Sequence, residues 1–225
     1  ETAAHALGLR DEALVVTEAF SQWVIEDRFA CGRPAWEQAG AELVEEVRPF
    51  EEMKLRLLNG THSTLAYLGY LAGFEYVADA VGQPQFERLL SGMMAGEIAP
   101  TLNLPEKVDL ASYQLGLVER YRNPDLRHRL WQIAMDGSQK LPQRLLNTIR
   151  DNLAAGREFP RLALAVAAWM RYVTGIDEQG KAIDVQDPLA ERFSKIARES
   201  GWSSEASPSG SACVKFVHSL LEVEE

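Results

Sequence analysis

The stretch KLRLLNGTHS, Lys54 to Ser63, decides how the rest of the chain is read. Leu55, Leu57, Leu58 and the following Leu65 have the spacing of a helix that turns one face to a core. A lysine, an asparagine and a histidine are set among them, with Gly60 between the last two. Polar groups on a core-facing helix need partners. With Lys54 at zero and about 100° per residue, Glu51 falls near about 60°, His62 near about 80° and Asn59 near about 140°, so all four fit one sector. Asn59 and His62, three apart, can touch the same small ligand, and the long lysine reaches up from two turns earlier. Gly60 costs roughly 1 kcal/mol of helix stability relative to Ala, which implies that something needs the space it leaves. Taken singly, these are a solvated lysine, a satisfied core histidine and a helix end. Taken together in an apolar setting, they are candidates for chemistry.

Outward from this stretch the apolar spacing stays at three and four. It predicts helices at 50–81, 84–96, 109–120, 124–136, 142–155, 160–174 and 187–199, and a helical reading also of RPAWEQAGAELVEEV at 33–47. Asn123-Pro124 is a start signal, an N-cap followed by proline at the first helical position, while Gly137 and Gly175 read as stops. No repeat of 20–50 residues is visible. ALVVTEAF at 13–20 is the one strand-like run, and a single strand is not a sheet. The expected fold class is therefore mainly α: a short α/β remnant at 1–46, a multi-helical domain at 47–195, and an irregular, Ser/Gly-rich tail at 196–225.

The totals narrow the class of function. The 225 residues are 46% hydrophobic, enough for a real core, and carry a formal charge of −10. That acidity argues against nucleic-acid binding, which needs a basic face to displace counterions. The longest apolar run, LALAVAAWM at 162–170, is about half a membrane span, and no signal peptide opens the chain. Cys31 and Cys213 match no metal or redox spacing and read as reduced thiols, so the expected location is the cytoplasm, with no membrane partner.

The segment EEMKLRLLNGTHSTLAYLGYLAG (51–73) closely resembles the Lys-x4-Asn-x2-His motif of the polyol-specific long-chain dehydrogenases. That family includes mannitol 2-dehydrogenases and fructuronate reductases (D-mannonate oxidoreductases). The resemblance extends through VVTEAFSQWVIED (15–27), GRPAWEQAGAELVEEV (32–47), NPDLRHRLWQIAMDGSQKLPQR (123–144) and AVAAWMRYVTGID (165–177), and fades beyond about Phe193. It implies the helical C-terminal catalytic domain of a two-domain enzyme, partnered by an N-terminal Rossmann domain that binds NAD, with NADP open. No G-x-G-x-x-G occurs in the chain, so the cofactor fingerprint is absent and the piece alone is expected not to turn over.

The resemblance further implies that Lys54 is the general base for a secondary alcohol, Asn59 an oxyanion donor and His62 the ligand of the reacting oxygen. Lysine ordinarily titrates at about 10.4, so shielding of Lys54 on its Leu-rich helix is expected. Glu51 is either a proton relay or a surface carboxylate. Lys140 is expected at a helix N-terminus, contacting the far hydroxyls or carboxylate of a sugar chain; an ordinary exposed lysine is the alternative. Gln132 stands where mannitol dehydrogenases usually have arginine, which leans toward the fructuronate/mannonate branch. His128 and Arg129 are nearby and read as structural. No metal is expected, since lysine and amide donors do the work of a Lewis acid. The substrate is a sugar acid or, alternatively, mannitol or another polyol; a non-catalytic helical interaction domain is the reading from another class.

Overall fold

The computed structural model of the chain describes residues 6, 8–9, 11–13, 18, 20–177 and 179–199. The chain divides into two units, Glu1–Glu45 and Glu46–Glu225. In the first, β1 (Trp23–Glu26) pairs in parallel with β2 (Ala41–Val44), Trp23 opposite Ala41 and Glu26 opposite Val44. Parallel neighbours need a long crossover. Residues 27–40 supply it, with a 3-10 turn at Trp36–Ala39 that ends on Gly40 at φ 90°. Arg33 ties the crossover together, its Nε donating to Asp27 Oδ1 at 2.8 Å and its Nη1 to Glu37 Oε2 at 2.6 Å.

The helical expectation for 33–47 thus fails at Ala41–Val44, which is a strand. Ala and Glu are good helix formers, but propensity is worth only a few tenths of a kcal/mol per residue, and backbone pairing with β1 outweighs it. The strand-like run at 13–20 lies largely outside the described residues, and the Ser/Gly-rich stretch at 200–212 wholly outside them.

The second unit is helical. α1 (Arg48–Met53) runs without a break through a π-helical segment, Lys54–Asn59, into α2 (Gly60–Leu71). Then come α3 (Val77–Val81) and α4 (Pro84–Met93), the latter continuing through a π-helical segment, Met94–Ile98, and a 3-10 turn, Ala99–Thr101. α5 (Leu110–Tyr121) is capped by the Asp109 carboxylate, which accepts from Ser112 N. α6 (Leu130–Ala134) follows, and α7 (Gly137–Leu141) passes through a third π-helical segment, Pro142–Leu146, into α8 (Asn147–Ala154). α9 (Pro160–Tyr172) and α10 (Ala190–Glu199) complete the described helices.

α2 is the centre of the packing, against α9 on one side and α6 on another. Gly69 permits this closeness: a Cβ there would sit 2.9 Å from Leu130 Cδ1 and 3.2 Å from the Ala80 methyl. Leu65, Ala66, Leu130, Leu162 and Ala165 are fully buried around it. The buried Glu97 closes the N-terminus of α9, accepting from Arg161 N at 3.0 Å and Leu162 N at 2.8 Å, where the helix dipole favours a negative charge.

Asn123 does cap as expected, accepting from Asp125 N, but only a 3-10 turn (Pro124–Leu126) follows. Arg127 at φ 44° breaks it before α6. Gly137 is not a helix stop but the first residue of α7, and the turn is made by Asp136 at φ 55°. A Cβ on Gly137 would meet Tyr67 Oη at 2.6 Å, so close approach explains the glycine. Gly175 behaves as read, at φ 80° just past α9.

Candidate functional site

The π-helical segment Lys54–Asn59 changes the geometry of the polar cluster. One extra residue in a turn sets everything beyond it back by about 100° relative to a regular α-helix. Measured from Lys54, Asn59 moves to about 40° and His62 to about −20°, with Glu51 still near about 60°, so the four share a sector of about 80°. The bulge gathers them more tightly than regular helix would.

Three contacts support the bulge. Thr61 Oγ1 donates to Leu57 O at 2.5 Å and Tyr121 Oη to Leu58 O at 2.6 Å, so side chains take up carbonyls of the π turn. Arg56, almost fully buried, donates to Asp151 Oδ2 at 2.5 Å and Thr101 Oγ1 at 2.9 Å. The glycine between Asn59 and His62 has a packing reason. A Cβ on Gly60 would lie 2.8 Å from the backbone oxygen of Arg144, in the segment Pro142–Leu146. The space that the sequence suggested is filled by another helix.

His62 is half-buried, stacked on Tyr121 with ring centroids 5.4 Å apart and 5.8 Å from the ring of His128. Burial, then the charges of His128, Arg144, Arg120 and Lys140, push its pKa down to about 3. The ring is therefore neutral near pH 7, one nitrogen a donor and the other an acceptor. Its Nε2 is buried without a hydrogen-bond partner, and so is Oδ1 of the half-buried Asn59. Such atoms are costly to leave unmatched, about 1–3 kcal/mol each, unless something binds.

Lys54 and Glu51 are exposed, against the expected shielding of the lysine. The buried stripe of this helix is Phe50, Met53 and Leu57, and Lys54 points away from it. Gln132 is exposed on α6. Lys140 does not precede a helix that starts at Pro142, as the sequence suggested, but lies inside α7, which already starts at Gly137, and its side chain is half-buried. Its Nζ donates to Met135 O at 2.6 Å and lies 3.7 Å from Asp136 Oδ2, while burial and then Arg144 lower its pKa.

Sequence reasoning passed over Arg144 and Tyr121. Arg144 is four residues past Lys140 on the same helix, a spacing that could have marked it. Its Nη1 donates to the buried Ser63 Oγ at 3.0 Å, beside His62 in sequence, and its Nε is buried without a partner. A cleft of about 520 Å³ opens beside Ser138, Leu141, Pro142 and Trp169, but Lys54, Asn59 and His62 do not line it. Among the described residues no group of His, Cys, Asp and Glu is placed to hold a metal ion, no helix is long and apolar enough to cross a membrane, and Cys31 is an exposed free thiol.

The fold is a multi-helical domain that carries its polar cluster on one bulged central helix. The chain belongs to the mannitol dehydrogenase family: the description "Mannitol dehydrogenase C-terminal domain" matches residues 46–208. The D-mannonate oxidoreductase of Escherichia coli (strain K12) is 56% identical over 193 residues, 86% of this chain and 40% of that protein. A mannitol 2-dehydrogenase of Phaeosphaeria nodorum is 42% identical over 203 residues, 89% of this chain and 36% of that protein. Among solved structures, the Pseudomonas fluorescens mannitol 2-dehydrogenase ternary complex with NAD and D-mannitol matches with TM-score 0.79 and 39% identity, over 89% of this chain and 41% of that one. The chain thus spans about two fifths of the length of these relatives.

Proposed function

We propose that this domain is the substrate half of a nicotinamide-dependent oxidoreductase that interconverts D-mannonate and D-fructuronate. The observation that carries the reading is the pair of buried, unpartnered polar atoms, Asn59 Oδ1 and His62 Nε2, on the same sector of the bulged helix as Lys54. The 56% identity to a D-mannonate oxidoreductase favours the sugar acid.

In the oxidation, a C–H and an O–H bond of one secondary carbinol break and a C=O bond forms. A bound nicotinamide would take the hydride; the proton is this chain's task. The neutral amine of Lys54 accepts the hydroxyl proton, and Glu51, three residues earlier, relays it to water. Asn59 donates from its amide nitrogen to the oxygen as charge builds there, and its unpartnered Oδ1 accepts from a neighbouring substrate hydroxyl. His62, neutral, holds the same oxygen in place through a ring nitrogen. Lys140 and Gln132 face the remaining hydroxyls. In the reverse direction the Lys54 ammonium returns the proton to the ketone oxygen.

The chain contains no G-x-G-x-x-G, and the residues named above serve the alcohol side of the reaction. The proposed partner is an N-terminal Rossmann domain of the same protein, binding NAD, whose approach would shield Lys54. The proposed setting is the cytoplasm. The second reading, a mannitol 2-dehydrogenase, is favoured by the likeness to the mannitol complex. A substrate panel on the full-length protein, followed by absorbance of reduced nicotinamide, tests both. D-mannonate should be oxidised with the higher kcat/KM; preference for D-mannitol transfers the proposal to the polyol, and turnover of neither rejects it.

A further inference from the structure

Arg144 sits in the π-helical segment Pro142–Leu146, one turn beyond Lys140 and on the same face. Its backbone oxygen occupies the space over Gly60, and its Nη1 donates to Ser63 Oγ at 3.0 Å. The guanidinium is thereby held alongside the part of α2 that carries His62. Only one end of its planar fork is used. Nε is buried without a hydrogen-bond partner, and among the described residues no carboxylate pairs with this arginine.

A half-buried guanidinium without a counter-ion is unfavourable, because it keeps its charge where lysine could lose one. Lys140 is in a different position, since Met135 O and the Asp136 carboxylate already answer its ammonium. With Nη1 engaged by Ser63, the remaining Nε edge of Arg144 offers parallel N–H donors, the geometry that a carboxylate accepts bidentately. Three unmatched buried atoms, Asn59 Oδ1, His62 Nε2 and Arg144 Nε, belong to residues at this one contact between the bulged helix and the segment Pro142–Leu146. They ask for a hydroxyl donor, a polar oxygen and an anion, which together describe a polyhydroxy acid.

We propose that Arg144, held by Ser63, reads the carboxylate of the substrate, while Lys140 serves its neutral hydroxyls. This rests on the dehydrogenase reading above for the identity of the reacting end.

The test uses the full-length protein and four forms: wild type, Arg144→Leu, Arg144→Lys and Lys140→Met. A charge-assisted contact is worth enough that Arg144→Leu should lower kcat/KM for D-mannonate by about 10- to 150-fold and for D-mannitol by less than about 3-fold. Arg144→Lys should recover part of the acid-specific loss, because a point charge replaces the fork. Lys140→Met should affect both substrates alike. Equal losses on both substrates for the Arg144 variants, or the acid-specific loss appearing at Lys140→Met instead, overturns the proposal. If Arg144→Leu does not fold, the acid-against-polyol ratio of Arg144→Lys decides by the same criterion. Calorimetric binding of D-mannonate without turnover separates this from the reaction. Wild type that binds D-mannonate through Arg144 but never oxidises it keeps the anion site and loses the dehydrogenase. Oxidation with D-mannonate binding unchanged in Arg144→Leu does the reverse.

Discussion

Gly60→Ala should destabilise the protein, although alanine is the better helix former. On propensity alone the substitution would stabilise by about 1 kcal/mol. The new Cβ would lie 2.8 Å from Arg144 O and 3.5 Å from Leu145 Cδ2. The nearer atom is backbone inside a helix, so it cannot rotate away, and the helix Gly137–Ala154 or the bulged helix must shift. Overpacking costs typically about 1–3 kcal/mol, and a backbone contact belongs at the upper end. The net loss is then about 1–2 kcal/mol, which in a unit of this size lowers Tm by roughly 2–8 °C. Activity in the full-length protein should fall as well, because the shift moves Asn59, His62 and Arg144 relative to Lys54. Urea and thermal denaturation of the two forms, with kcat on D-mannonate, measure both effects. An alanine variant as stable as wild type or more so, with unchanged kcat, would refute the packing argument.

His62 predicts a pH dependence. Its pKa is 6.5 when unfolded and about 3 when folded, so between those values the unfolded chain binds more protons. Its contribution to stability is whole above about pH 6.5 and is lost progressively as pH falls toward about 3. His62→Gln should accordingly lose less stability than wild type between pH 7 and pH 4.5, by urea midpoint; parallel losses in the two forms would contradict it. Tyr121→Phe keeps the ring against His62 but removes the donor to Leu58 O, so it should cost about 1–3 kcal/mol. An unchanged urea midpoint would show that the hydroxyl does not hold the bulge.

Most helix positions were legible because burial follows a three-and-four rhythm that Phe50, Met53 and Leu57 or Leu162, Ala165 and Trp169 display openly. Glu51, Lys54, Asn59 and His62 were legible as polar interruptions of that rhythm, although the exposure of Lys54 was not. Ala41–Val44 was not, since its Ala and Glu fit a helix and only the partner strand Trp23–Glu26 makes it a strand. The π-helical turns were hidden because Lys54–Asn59 has the apolar pattern of ordinary helix, and the groups that meet its turn, the Tyr121 hydroxyl on Leu58 O and the Asp151 carboxylate on Arg56, are far away in sequence. Gly137 was misread as a stop, and at Gly60 the sequence indicated that space is needed but not that Arg144 O fills it, because a close helix contact leaves no trace in sequence except the glycine itself. Arg144 was overlooked since its contact with Ser63 and its unpartnered Nε are products of helix packing that the sequence does not display.

The direct measurement of the proposed chemistry is kcat for D-mannonate oxidation by the full-length protein, wild type against Lys54→Ala. Lys54→Ala should lose about 10²–10⁴ of the wild-type kcat, the range for removal of a general base. A Lys54→Ala enzyme with the wild-type kcat would contradict the assignment of Lys54 as the base.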